Sequence, residues 1–118
     1  MELAPNPAAP QAVREAGDFG LSNRARDLLV SAFAADSRID RALIYGSRAK
    51  GNYRPGSDID IALDAPQMTY SDCLRLVTTL DDLMLPWQID LSLLHQIDNP
   101  DLVEHIARVG KPLCTRFS

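Results

Sequence analysis

Residues 58–63 alternate strictly in character, and this alternation constrains the fold more than any other stretch of the chain. In an extended strand the two isoleucines and the leucine of this segment share one face, while Asp58 and Asp60 share the other face with Ala62. Aspartate is disfavoured in strands, and two carboxylates so close repel each other unless a cation lies between them. The segment therefore predicts a strand with one apolar face and with two carboxylates in reach of a shared ion. An exposed strand face without an ion is the alternative.

Length and charge limit the kind of protein that this can be. The chain has 118 residues, 46% of them hydrophobic, which is enough for one compact domain. A net charge of −4 and a pI near 5.0 argue against a general nucleic-acid binder, so we expect no direct nucleic-acid partner and a phosphate site made by local residues. Cys73 and Cys114 lack metal-ligand spacing, and the sequence shows no signal peptide or membrane span. We expect a reduced, cytoplasmic protein without a membrane partner.

The first 20 residues differ in composition from the rest. They contain three prolines among alanines, together with two glycines, which is typical of a flexible segment and not of a core element. We therefore predict a flexible N-terminal arm over residues 1–20 and one domain over residues 21–118.

A helix and a strand are predicted ahead of the first glycine motif. Ser22 is placed to cap a helix that extends to about residue 35. The apolar residues at helical spacing predict the buried stripe of this helix: Ala25, Leu28, Leu29, Ala32 and Phe33. Residues 41–45 are predicted to form a short, largely buried strand that Gly46 ends.

Another helix and a third strand are predicted after the acidic segment. Thr69 and Asp72 have the spacing of a capping box. The helix that they open has a predicted buried face: Cys73, Val77, Leu80 and Met84. Residues 87–94 alternate again and predict a strand.

The end of the chain predicts a last helix and a short edge strand. Asn99 as N-cap and Gly110 after the last apolar residue mark the limits of the helix. Its predicted buried residues are Leu102, Val103 and Ile106. Residues 111–118 are compatible with a short edge strand, where Pro112 is tolerated.

The stretch GSRAKG, residues 46–51, leaves the first strand and enters a loop or short helix. A glycine at such a point lets the backbone approach phosphate oxygens closely, and the hydroxyl of Ser47 can donate a hydrogen bond. Nearby basic residues add positive charge: Arg48, Lys50 and Arg54. Taken alone, the stretch also fits an ordinary strand-to-helix turn with solvated basic residues, because short glycine motifs are weak evidence.

Asp90, in the predicted third strand, connects the acidic segment with the glycine motif. It lies opposite to Ile89 and Leu91, on the polar face of the predicted strand. If the acidic strands are neighbours, Asp90 shares a face with Asp58 and Asp60. Three carboxylates arranged in this way can bind two divalent ions, which in such sites lie about 3.5–4 Å apart.

These residues resemble a known family. The signature of the polymerase-beta-like nucleotidyltransferases is matched by Gly46-Ser47-x-Ala49-x-Gly51, then five residues, then Ser57-Asp58-x-Asp60, with Asp90 in the later acidic strand. The chain is most similar to the small "minimal nucleotidyltransferase" group, over approximately residues 22–115. Chance agreement at seven such positions is on the order of 10⁻⁶ for a chain of this length.

The resemblance implies an α/β fold with a mixed sheet of three or four strands flanked by about three or four helices. It also implies Mg²⁺-dependent attack of an acceptor hydroxyl on the α-phosphate of ATP or another nucleoside triphosphate. It assigns metal binding, with two ions, and catalysis to Asp58, Asp60 and Asp90. It assigns nucleotide binding to Gly46, Ser47, Lys50 and Ser57, although the family usually has arginine where this chain has Lys50, and lysine lacks the planar fork that holds phosphate at two points.

The acceptor is expected to come from another molecule, because little length follows the third strand and the last helix. Small members of the family resemble one half of a pair with an all-helical HEPN protein, and some are antitoxins that transfer AMP to a tyrosine of that partner. We therefore expect adenylylation of a HEPN-type toxin. Transfer to a small molecule bound by a helical partner, and a non-catalytic antitoxin or nucleotide-binding module, are the alternatives.

Overall fold

The computed structural model describes residues 18–115, so most of the predicted N-terminal arm lies outside the described residues. The described end of that arm, Asp18–Gly20, forms a 3-10 turn, and the Phe19 carbonyl accepts a hydrogen bond of 2.6 Å from the Arg48 guanidinium. The last three residues of the predicted arm thus contact the domain. The boundary between arm and domain stays a prediction.

Four helices and four strands make up the described chain. The helices are α1 (Asn23–Ala34), α2 (Ser47–Lys50), α3 (Tyr70–Asp81) and α4 (Pro100–Val109). The strands are β1 (Arg41–Tyr45), β2 (Ile59–Asp64), β3 (Ile89–Leu93) and β4 (Lys111–Thr115). The predicted α/β fold with a mixed sheet is therefore confirmed.

The strands form one sheet in the order β3-β2-β1-β4. Strand β1 pairs antiparallel with β2 and with β4, whereas β2 and β3 are parallel and connected through α3. The parallel pair places Asp60 beside Asp90, and the antiparallel pair places Tyr45 beside Asp60. One end of the sheet therefore holds the polar residues of three adjacent strands.

Both faces of the sheet are covered. On one face, α1 and α3 pack against alternate strand residues in the larger core, which contains Leu29, Phe33, Ile44, Ile61 and Leu80 among others. On the other face, α4 packs through Ile106 against Leu43, Tyr45 and Ala62. Because Asp60 follows the alternation of Ala62, the acidic residues belong to the α4 side of the sheet. Within residues 18–115 no helix combines the length and apolar character that crossing a membrane requires.

Most helices and strands begin and end near the predicted residues, and the exceptions have physical reasons. Ser22 accepts from the Ala25 amide as N-cap of α1, and Asn99 caps α4 in the same way. The prediction that Met84 lies on the buried face of α3 is wrong. Helix α3 ends at Asp81, and Met84 is 84% exposed with a left-handed φ of 57°. Val103, predicted to be buried, is 38% exposed, since α4 turns mainly Ile106 toward the sheet.

Asp72 holds together the N-terminal end of α3 and the chain after α1. Its carboxylate accepts from the Thr69 amide at 2.9 Å, which completes the predicted capping box, and it forms ion pairs with Arg38 and Arg75. The backbone hydrogen bond from Thr69, followed by the Thr69 hydroxyl and the Arg38 charge, lowers the pKa of Asp72 from 3.8 to about 2 against a smaller opposing effect of burial.

Asp72→Asn is therefore expected to lower the melting temperature at neutral pH. Because the folded-state pKa is depressed, the carboxylate contributes stability above its ordinary pKa of 3.8, and that contribution is lost as the pH falls through about 2. Thermal unfolding of wild type and variant should differ at neutral pH and converge in strong acid. Asp98→Asn removes the same charge from an exposed loop and should change little. A difference for Asp72→Asn that is independent of pH would contradict the assignment.

Candidate active site

Asp58, Asp60 and Asp90, which we call the acidic triad, meet at one end of the sheet. Asp60 and Asp90 are direct neighbours in the parallel β2–β3 register, on strands that run about 4.8 Å apart. Asp58 immediately precedes β2, two residues from Asp60 and in the same phase. Asp58 and Asp90 are exposed, whereas Asp60 is half-buried. The structure thus brings together the three carboxylates that the sequence pattern singled out.

Gly46 lies directly against the Asp60 carboxylate. It ends β1 with a φ of 72° and a ψ of −151°, a conformation that L side chains rarely adopt. A Cβ at this position would lie 2.5 Å from Asp60 Oδ2. Glycine is therefore required both by the backbone angle and by the close approach. The Gly46–Ser47 turn and the acidic triad form one continuous site.

The neighbouring carboxylates affect the ionisation of Asp60. Burial, followed by repulsion from Asp90 and then from Asp58, raises the pKa of Asp60 above its ordinary value, while the nearby His105 opposes the rise. The carboxylate of Asp60 therefore lies in a field that favours a bound cation or proton.

The donor set fits Mg²⁺, although the triad is not a closed metal cage. Within residues 18–115, no group of three or more histidine, cysteine, aspartate or glutamate side chains is close enough together to hold a metal ion. Magnesium is usually held by one or two carboxylates together with substrate phosphates and water, so a preformed cage is not needed. Metal binding by Asp58, Asp60 and Asp90 stays a prediction.

Arg48 departs from the sequence-based expectation that it adds positive charge for phosphate. It is 2% exposed, and its guanidinium donates to the main-chain carbonyls of Phe19, Pro55 and Ser57 at 2.6–3.2 Å. Its planar group also lies over the rings of Tyr53 and Trp87, 4.9 and 5.4 Å from their centroids. Arg48 thus holds the loop that leads into Asp58, and its role is to position that loop.

Ser57 and Trp87 complete this loop structure. The Ser57 hydroxyl accepts a hydrogen bond of 2.9 Å from the Arg54 amide, which closes a turn over residues 54–57. The indole N–H of Trp87 donates to the Pro55 carbonyl at 2.9 Å. The structure therefore gives Ser57 a loop-forming contact, and its predicted contact with nucleotide stays a prediction.

Ser47 and Lys50 are the first and last residues of the four-residue helix α2. Residues three apart on a helix share a face, so the side chains of Ser47 and Lys50 lie on the same face of α2. Lys50 is exposed and forms no ion pair in the described part of the chain. Its ammonium group is free to bind an anion, as its predicted role requires.

Tyr45 and Ser92 were not predicted as site residues. Burial raises the pKa of the Tyr45 phenol, a hydrogen bond with Ser92 opposes this, and the charges of Asp60 and Asp90 add to the rise. Ser92 of β3 pairs with Ala62 of β2, and Tyr45 packs in the same cluster as Ala62. The Tyr45 phenol therefore lies close to the small Ala62 side chain, beside the acidic triad. The ring also meets His105 edge-on, with centroids 6.2 Å apart. The strand registers that bring these residues together could not be derived from the sequence.

Comparisons with known proteins identify the family of this chain. The family model "Polymerase beta, Nucleotidyltransferase" matches residues 28–117. No curated protein matches the chain significantly in sequence. The four-stranded mixed sheet and the glycine turn against the acidic strands define an α/β nucleotidyltransferase domain. The family model covers most of the chain, and the chain belongs to the polymerase beta nucleotidyltransferase family.

Solved structures share the fold at low sequence identity. A toxin-antitoxin structure with AMP-PNP has a TM-score of 0.65 at 20% identity, over 77% of this chain and 73% of that chain. A tri-AMPylated Shewanella oneidensis HEPN toxin in complex with MNT antitoxin gives a TM-score of 0.61 at 18% identity, covering 79% and 71%. A putative nucleotidyltransferase from Sulfolobus solfataricus gives 0.53 at 20% identity, covering 78% of both chains. These likenesses support the fold described above.

The contact between Gly46 and Asp60 can be tested by stability measurements. Gly46→Ala and Gly51→Ala both place alanine at positive φ. Gly51 is in the left-handed helical region, where alanine costs about 1–2 kcal/mol, and has no atom within 4 Å of its added Cβ, whereas the ψ of −151° puts Gly46 in a region that is essentially restricted to glycine. Gly46→Ala must also displace the Asp60 carboxylate and is expected to cost about 1 kcal/mol more in urea unfolding. The part of that excess that comes from the carboxylate should disappear in an Asp60→Ala background. An excess that is unchanged in that background would contradict the contact.

Proposed function

We propose that this chain is an Mg²⁺-dependent nucleotidyltransferase that moves AMP from ATP to a hydroxyl of a helical HEPN-type partner, and thereby acts as an antitoxin in the cytoplasm. The observation that carries the proposal is the approach of Gly46 to Asp60, with Asp90 in register beside it. A backbone turn open to phosphate and a set of carboxylates suited to Mg²⁺ are thus adjacent.

The residues divide the chemistry between them. Asp58, Asp60 and Asp90 would hold two ions, with Gly46, Ser47 and Lys50 on the phosphates. Bound Mg²⁺ neutralises charge on the transferring phosphoryl group. The acceptor hydroxyl oxygen forms a bond to the α-phosphorus, the bond to the bridging oxygen breaks, and pyrophosphate leaves. Asp90 is exposed on edge strand β3, where its carboxylate can orient the incoming hydroxyl and take its proton.

Two observations support the choice of donor and partner. The similar structures include one with AMP-PNP and one in which a HEPN toxin is AMPylated and bound to its MNT antitoxin. In this chain, Asp90 is an exposed residue of β3, which is an edge strand of the sheet, so that a second protein can present a hydroxyl to it. These observations, together with the shared fold, support the choice of ATP as donor and of a helical protein as acceptor.

The direct test mixes the chain with a HEPN-type protein encoded beside it, ATP and Mg²⁺. Intact-mass spectrometry should show that the partner gains one or more adenylyl groups. Asp60→Asn should reduce the rate by at least ~10²-fold, because losing one electrostatic stabiliser at a reacting centre has effects of that size. Asp64→Asn is the matched control: it removes the same charge from the same face of β2, outside the triad, where Asp64 pairs with Arg41.

Two outcomes would contradict the proposal. An unmodified partner whose toxicity is still suppressed by Asp58→Asn and Asp60→Asn would identify a non-catalytic antitoxin. Transfer of the nucleotide to a small molecule and not to the partner would identify the alternative acceptor class.

A further inference from the structure

Asp58 differs from the other two members of the acidic triad in what holds its main chain. Asp60 and Asp90 lie within paired strands, whereas β2 begins only at Ile59, one residue after Asp58. The hydrogen bonds of the sheet therefore do not fix Asp58 directly. Its position depends on the loop that leads into it.

A buried guanidinium holds this loop. Arg48 donates to the Ser57 carbonyl from two of its nitrogens, at 3.2 and 2.8 Å. On the other side of Asp58, the Ile59 amide donates to the Gln88 carbonyl at 2.9 Å. The main chain is thus held on both sides of Asp58, and Arg48 supplies one of these two contacts from its side chain.

Two aromatic rings set the orientation of that guanidinium. The rings of Tyr53 and Trp87, which lie 4.9 and 5.4 Å from it, attract a planar cation through their faces. The Pro55 carbonyl accepts both from Arg48, at 3.2 Å, and from the Trp87 indole, at 2.9 Å. We call Tyr53, Arg48 and Trp87 the guanidinium stack.

The Asp18–Gly20 turn also contacts the guanidinium stack. The Phe19 carbonyl accepts from Arg48, and a Cβ at Gly20 would lie 2.4 Å from Tyr53 Cε2. Phe19 has a φ of 61°, which is a strained conformation for a bulky side chain. Because such strain persists only where surrounding contacts enforce it, the turn is held firmly against the stack.

Residues that orient metal ligands from outside the site change metal affinity strongly, by about 10–100-fold. We propose that the guanidinium stack and the Asp18–Gly20 turn position Asp58 for metal binding, and that Tyr53 and Trp87 are positioning residues for the Mg²⁺ site. This inference rests on the proposed function, because it concerns the metal ions of that reaction. The family signature includes neither aromatic residue.

Trp87 is the only tryptophan in the chain, so its fluorescence directly measures changes at the guanidinium stack. The full chain is titrated with the Mn²⁺ complex of a non-hydrolysable ATP analogue, in which Mn²⁺ stands in for Mg²⁺. Because Arg48 connects Asp58 with Trp87, binding should change the emission of the wild type. Asp58→Asn should weaken binding. Asp64→Asn, which removes the same charge from β2 outside the triad, should not.

The stack itself is tested by Tyr53→Leu and its conservative counterpart Tyr53→Phe. Leucine removes the aromatic face and is expected to weaken binding of the Mn²⁺ complex by about tenfold, whereas phenylalanine keeps the face and should retain the affinity. Gly20→Ala displaces the Tyr53 ring and should also weaken binding, and most of this loss should disappear in a Tyr53→Leu background. Asp72→Asn controls for lost stability and should bind as the wild type does.

The outcomes separate this inference from the proposed function. Equal affinities for Tyr53→Leu and Tyr53→Phe would overturn the positioning role and leave the function standing. An equal loss in Asp72→Asn would also overturn it, because lower stability would then explain the effect. If Tyr53→Leu weakens binding and Tyr53→Phe does not, while no acceptor is adenylylated, the positioning role stands and the transfer reaction is wrong. Wild-type affinity in Asp58→Asn would contradict both.

Discussion

The close approach of Gly46 to Asp60 is the constraint on which the rest of the site depends. Strand β1 pairs antiparallel with β2 so that Tyr45 opposes Asp60, and the next residue turns with a φ that favours glycine. A side chain at this position would lie where the Asp60 carboxylate lies. Because glycine leaves that space, the backbone amides of the turn and the carboxylates of two strands meet at one point.

This arrangement concentrates like charge, and the fold contains features that compensate for it. Asp60 is half-buried beside two other carboxylates, which together with burial raises its pKa. Arg48 binds three carbonyls of neighbouring segments and so holds the loop before Asp58 without entering the site.

Local patterns predicted much of the fold and of the site. The bounds of β1, the Thr69–Asp72 capping box, and the shared face of the acidic strands follow from residue period and spacing alone, and the structure has them. The prediction for Met84 was wrong because the helical spacing of apolar residues continues in the sequence beyond Asp81, where α3 ends. The role of Arg48 could not be predicted, because it depends on segments far apart in sequence that only the tertiary fold brings together.

The central claim is that one nucleotide extends from the acidic triad across the Gly46–Ser47 turn. A crystal structure of the full chain with Mn²⁺ and a non-hydrolysable ATP analogue tests it most directly, because anomalous scattering locates the metal. The account predicts metal density bounded by Asp58, Asp60 and Asp90, about 2.0–2.2 Å from carboxylate oxygens, and distal phosphates within hydrogen-bond distance of the Gly46–Ser47 turn. Metal density away from the triad, or a triphosphate that does not contact the turn, would contradict it.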